Sequence, residues 1–178
     1  MTDESKTRHF EALVLPHLGA AWNLARWLTR NDHDAEDVVQ EALLRAYRFF
    51  EGFRGAQCRP WLLAIVRNTA FSWMGANRTT VPLDEYGAHQ GQDIGGVDPD
   101  NPESLASRGD DRKRVNVALA RLPVEFREVL VLRELEDLSY REIAQVTAIP
   151  LGTVMSRLAR GRKLLSGYLA DGEKETMR

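Results

Sequence analysis

Apolar residues recur at helical spacing along most of the chain, and no stretch alternates with the period of two that marks a strand. Phe10, Leu13, Val14, Leu18, Ala21, Trp22, Ala25 and Leu28 predict a helix over about 8–29, kinked or split by Pro16. Asn31, Asp32 and His33 supply turn chemistry. A second helix is predicted over 34–49, with Asp34, Glu36 and Asp37 crowding its start and Arg45 and Arg48 near its end, the order that suits the helix dipole. Val38, Val39, Ala42, Leu43, Ala46 and Tyr47 make a broad apolar surface. Asp37, Gln40, Glu41 and Leu44 share the other face, which spacing alone reads as solvated. A loop over 51–59 leads to Pro60, which opens a third helix ending near Gly75. Here Trp61, Phe71 and Trp73 stand among Arg59, Arg67, Asn68, Ser72 and Arg78. Aromatics beside cations can stack single-stranded bases and pair with phosphates, although aromatics at helical spacing also serve as core. Trp61 is expected in the core, and Trp73 is balanced between core and base contact.

Residues 84–111 show no period, are rich in Gly, Asp and Pro, and predict a flexible acidic linker. As a coil such a linker has an r.m.s. span of about 30 Å and a contour limit of about 90 Å, so two modules joined by it could engage DNA sites two helical turns apart, roughly 70 Å. Beyond it, one helix is expected over about 112–121. A second should start at Pro123, with Phe126, Val129, Leu130, Leu132 and Leu135 as its buried set.

The stretch 138–165 carries the strongest local signals. Ser139 and Glu142 have the spacing of a capping box, and Leu138 and Ile143 that of a hydrophobic staple. Small Ala144 allows close approach of a second helix, and Thr147-Ala148-Ile149-Pro150 breaks the first. In the helix that follows, Val154, Leu158 and Leu165 point to a core. Thr153, Ser156, Arg157, Arg160 and Lys163 share the opposite face, and no acidic residue occurs from Ile143 to Ala170. A short helix with a cationic outer face after a tight turn is what a DNA-reading helix-turn-helix needs. A solvated basic face on an ordinary helical hairpin is the competing reading.

Charge sharpens this picture. The net charge of −2 says nothing about nucleic acid, but its distribution does. Residues 1–83 carry ten basic and nine acidic side chains, 84–111 one and eight, and 112–170 eleven and six; the tail 171–178 has two and three. A basic C-terminal module is thus tethered to a near-neutral one by an acidic segment. The single cysteine, Cys58, excludes an intrachain disulfide and fits a reducing compartment. Its loop position beside Arg59 allows a lowered thiol pKa, against the plainer reading of a bystander thiol. No apolar run approaches the ~18 residues of a membrane span, and the polar N-terminus does not resemble a signal peptide; a cytoplasmic protein is expected. No phosphate-loop or dinucleotide glycine pattern occurs, and the four histidines lack metal-ligand spacing. Neither an enzyme, a cofactor nor a metal site is expected.

Three segments in order resemble a bacterial extracytoplasmic-function (group IV) sigma factor: DAEDVVQEALLRAYR at 34–48, FRG with PWLLAIVRN at 53–55 and 60–68, and the 138–165 stretch. The resemblance covers about 10–169 and implies an all-α protein of two small helical modules. These are a region 2-like domain over 1–83 and a region 4-like helix-turn-helix domain over 112–170, with the linker between them. It implies a transcription initiation factor that binds core RNA polymerase and directs it to promoter DNA. Asp37, Gln40, Glu41 and Leu44 would then dock on the polymerase rather than face solvent. Arg59, Arg67, Asn68, Ser72, Trp73 and Arg78 would contact and melt the −10 element. Thr153, Ser156, Arg157, Arg160 and Lys163 would read the −35 element, with Met155 and Ala159 shaping which sequence is preferred. An anti-sigma factor is the implied regulator. A sigma mimic that sequesters an anti-sigma factor, and a helix-turn-helix repressor dimerising through 1–83, are the alternatives. The intact cationic helix argues against the first and the 34–48 pattern against the second.

Overall fold

The computed structural model describes residues 2–55, 57–77 and 102–176, with backbone alone at 77, 102–108, 173, 175 and 176. Among the described residues there are eight α-helices and no strand. Pro16 does split the first predicted helix: α1 (Asp3–Val14) and α2 (Leu18–Thr29) are separated by a 3₁₀ turn at Leu15–His17. Arg30 closes α2 in the left-handed region at φ 59°, and the Asn31 side chain accepts from the Asp34 N–H at 3.1 Å to cap α3 (Asp32–Phe49). The third predicted helix is α4 (Cys58–Asn77), which starts two residues before Pro60.

The C-terminal half departs further from expectation. Helix α5 spans Pro102–Arg121, so residues 102–111, read as linker, are helical. Pro102 is favoured in a first turn, but the segment that follows has too few apolar residues to display a period. Helix α6 (Val124–Leu130) continues into a π turn at Val131–Leu135. Leu135, expected to be buried, is exposed, because that wider turn rotates the end of the element out of α-helical phase. Helix α7 (Tyr140–Thr147) leads to α8 (Leu151–Thr176), which extends well past the predicted end and takes in most of the tail.

Helices α2, α3 and α4 pack around Leu24, Leu28, Val38, Leu62, Leu63 and Val66, with Ala21, Ala25, Ala35, Ala42 and Ala46 allowing close approach. The second half packs α6, α7 and α8 around Leu122, Leu130, Leu132, Leu138, Ile143, Val154 and Leu158. Gly161 sits where α8 crosses α6: a Cβ there would stand 3.2 Å from Leu130 Cδ1 and 3.4 Å from Phe126 Cβ. The halves are not separate in this structure. Helix α7 lies on α4 and α6 lies on α2, and the buried apolar side chains of both join one cluster.

A candidate nucleic-acid interface and the ion pairs that cover it

The helix-turn-helix forms as its local chemistry dictates. Ser139 Oγ accepts from the Glu142 N–H at 3.2 Å, and the Glu142 carboxylate accepts from the Ser139 N–H at 2.7 Å. Leu138 and Ile143, the staple pair, are both buried. Thr147 donates back to the Ile143 carbonyl at 2.6 Å, and Ala148 then turns the chain in the left-handed region at φ 55°. The Pro150 carbonyl accepts from the N–H groups of Thr153 and Val154 and so starts α8.

Val154 and Leu158 point inward and are fully buried. On the other side Ser156, Arg160 and Lys163 are exposed, while Thr153 and Arg157 are half-buried. Met155, at 52% exposure, and Ala159 flank them. Five polar side chains expected to reach DNA therefore lie along one face, as predicted, but Arg157 is not presented to solvent like Arg160.

The α4 set divides. Asn68 and Ser72 are exposed, and Trp61 belongs to a cluster with Phe53, 4.7 Å between ring centroids, and Phe50. Trp73 is half-buried, its indole Nε1 enclosed without a hydrogen-bond partner. Arg78 lies outside the described residues. The two remaining arginines are held by carboxylates from the other half of the molecule. Arg67 stacks on Phe71, 4.3 Å to the ring centroid, and donates through both Nε and Nη2 to Glu128, at 2.9 and 3.2 Å. Arg59 Nη2 donates to Glu136 at 2.8 Å, and Asn23 Nδ2 donates to the same carboxylate at 2.6 Å. Arg157 Nη1 reaches Glu128 Oε1 at 3.9 Å.

Glu128 is only 1% exposed and Glu136 7%. Buried carboxylates are retained where cations pair with them. Neither was singled out from the sequence. A signal for Glu128 was present: it falls at i+4 from Val124 and i−4 from Leu132, on the apolar stripe of its own element.

Arg127, also buried, donates to the carbonyls of Ala120 and Leu122, while its Nε has no partner. Burial, with the Arg30 guanidinium adding to it, pushes Arg127 down to about 10; Glu125 and Glu128 oppose the shift. His17 is lowered by burial and by Arg59. Cys58 opens α4 instead of lying in the loop, and burial raises its thiol pKa, so the lowered value that the loop position allowed is not realised. On α3, Asp37 and Gln40 are exposed, Glu41 is half-buried and paired with Arg45 at 2.9 Å, and Leu44 is 57% exposed. Among the described residues no group of three or more metal-ligating side chains is present, and no helix is long and apolar enough to cross a membrane.

Fold and site together define an all-helical protein of two modules, the second a helix-turn-helix with a cationic outer face. Residues 13–79 match the family model for Sigma-70 region 2, and 112–165 match that for Sigma-70, region 4. The ECF RNA polymerase sigma factor SigE of Mycolicibacterium smegmatis is 34% identical over 98% of this chain, which spans 66% of that relative's length. The ECF RNA polymerase sigma-E factor of Haemophilus influenzae is 36% identical, over 82% of this chain and 79% of its own. Among solved structures, the sigma factor RpoE in complex with the anti-sigma factor NepR from Bartonella quintana superposes with a TM-score of 0.72 at 26% identity, covering 92% of this chain and 98% of that one. The chain belongs to the extracytoplasmic-function RNA polymerase sigma factors.

Proposed function

We propose that this chain is a transcription initiation factor that binds core RNA polymerase and directs it to a specific set of promoters. In this reading residues 1–83 dock on the polymerase and engage the −10 element, and 112–170 read the −35 element. The exposed strip Asp37, Gln40 and Leu44, with Glu41 beside it, is the docking face on α3. Arg59, Arg67, Asn68, Ser72 and Trp73, with Arg78 beyond, serve the −10 element: cations pair with phosphates while an aromatic ring stacks a base. Thr153, Ser156, Arg157, Arg160 and Lys163 enter the major groove, where an α-helix fits and base edges are distinguishable. The protein carries out no catalysis of its own and works in the cytoplasm. An anti-sigma factor regulates it, a reading supported by the Bartonella quintana relative, whose structure is a complex with the anti-sigma factor NepR.

The observation that carries this reading is the order of the two matched regions together with the cationic face of α8. Run-off transcription with core RNA polymerase and genomic fragments tests it. Initiation from discrete start sites that depends on this chain is the expected result. Tight duplex binding without polymerase, and no chain-dependent initiation, would mark a repressor instead.

A further inference from the structure

The outer face of α8 has two edges of different chemistry. Ser156, Arg160 and Lys163 are exposed and polar. Beside them Leu151, Met155 and Ala159 recur at i, i+4 and i+8, so they form one row along the start of the helix. All three are exposed, Leu151 at 42% and Met155 at 52%. Gly152 lies one turn before Met155 and Ser156, and a Cβ there would meet nothing within 4 Å. Its missing side chain serves no packing inside the protein and leaves room for a partner to approach the helix backbone.

The polar groups at this end of α8 are engaged within the protein. Ser156 gives its hydroxyl proton to the Thr153 carbonyl at 3.1 Å, and Arg157 reaches the buried Glu128 at 3.9 Å. The N-terminal residues of a recognition helix meet base edges, and here the exposed large side chains among them are apolar. An apolar side chain set against a base edge leaves the polar atoms of that edge unpaired, at a cost. Among the four bases only thymine presents a methyl group in the major groove.

We propose that Met155, flanked by Leu151, makes this chain select a thymine in the −35 element by contact with its C5-methyl group. Met155 determines specificity at that position, and Arg160 and Lys163 supply affinity. An unbranched, polarisable thioether packs on a methyl group without demanding one fixed rotamer. Contact also removes apolar surface of both partners from water.

The inference rests on the reading of α8 as the −35 helix, and the experiment separates the two. Holoenzyme assembled from core RNA polymerase and the full chain selects from duplexes randomised over about one helical turn at the −35 position, upstream of a start site recovered by run-off transcription. Wild type is compared with Met155→Ala, Met155→Gln and Arg160→Ala. Thymines in the wild-type motif are then replaced one at a time by uracil, which lacks only the methyl group, and affinities are read by fluorescence anisotropy.

Wild type should select an A·T pair at a position where Met155→Ala shows no preference. Uracil there should weaken wild-type binding by about fourfold, the factor that one buried methyl group contributes, and leave both Met155 variants unchanged. Arg160→Ala should bind less tightly yet keep its sensitivity to uracil. Met155 is exposed, so its variants should fold, and Met155→Gln, which keeps the side-chain length, carries the test if Met155→Ala is unstable. No effect of uracil on wild type, or an equal effect in the Met155 variants, would overturn the methyl contact while α8 remained the −35 helix. No chain-dependent initiation, or a window from which wild type selects no motif, would overturn the −35 reading and the methyl contact with it.

Discussion

Among the described residues, three non-glycine residues take left-handed backbone conformations: Arg30, Asp137 and Ala148. Ala148 is the most instructive, because it makes the turn of the helix-turn-helix. An L-residue there costs about 1–2 kcal/mol relative to glycine, whereas glycine loses about 0.4–1 kcal/mol through the unfolded chain. Ala148→Gly should therefore stabilise the protein by about 0.5–1 kcal/mol, and thermal unfolding would show a rise of roughly 2–4 °C per kcal/mol. His17 sets a pH dependence of stability. Its folded pKa lies below the ordinary 6.5, so the unfolded chain takes up the proton first. The stability that His17 contributes is present above pH 6.5 and is lost as pH falls below it. Melting temperature should drop between pH 7 and pH 5.5, and His17→Asn should flatten that drop; an identical slope in the variant would remove His17 as the cause.

At the scale of elements, α8 presents arginines that are not equivalent. Arg160 is exposed, whereas Arg157 is half-buried against Glu128. Arg160→Ala should reduce the salt slope of DNA binding by about one. Arg157→Ala removes one contact from an arginine that already faces the buried Glu128, so in the free protein its net loss of affinity should be the smaller of the two. Equal losses over a KCl series would mean that Glu128 does not compete for Arg157. Much of this element level was legible beforehand, because its causes are local: Pro16 splits a helix, Ser139 and Glu142 cap one, and Pro150 starts another. The onset of α5 at Pro102 was hidden, because its first turns are polar and composition there resembles a linker. Leu135 was misplaced because a π turn shifts the phase that a 3.6-residue period assumes. Glu128 could have been suspected from its place on an apolar stripe, but its partners, 61 residues upstream and 29 downstream, could not.

At the scale of the whole molecule, the packing of the two halves covers part of the proposed DNA-contacting surface and leaves the proposed docking face open. The contacts between the halves run through α2 and α4 on one side and α6, the π turn and α7 on the other. Among the described residues the outer face of α3 takes no part in the Arg59–Glu136 and Arg67–Glu128 ion pairs between the halves, and Asp37, Gln40 and Leu44 remain exposed. Core polymerase should thus be able to dock on α3 in the arrangement seen here. The two proposed activities should then be separable by mutation. Asp37→Arg reverses a charge on an exposed face, where surface substitutions change folding by within about 0.5 kcal/mol. It should weaken binding to core polymerase by about tenfold or more, equivalent to about 1.4 kcal/mol, while leaving duplex binding by the free protein close to wild type. Surface plasmon resonance on immobilised core enzyme, run beside fluorescence anisotropy on duplex DNA, measures both quantities for the variant and for wild type. If Asp37→Arg bound core polymerase as wild type does, the exposed face of α3 would not be the docking face.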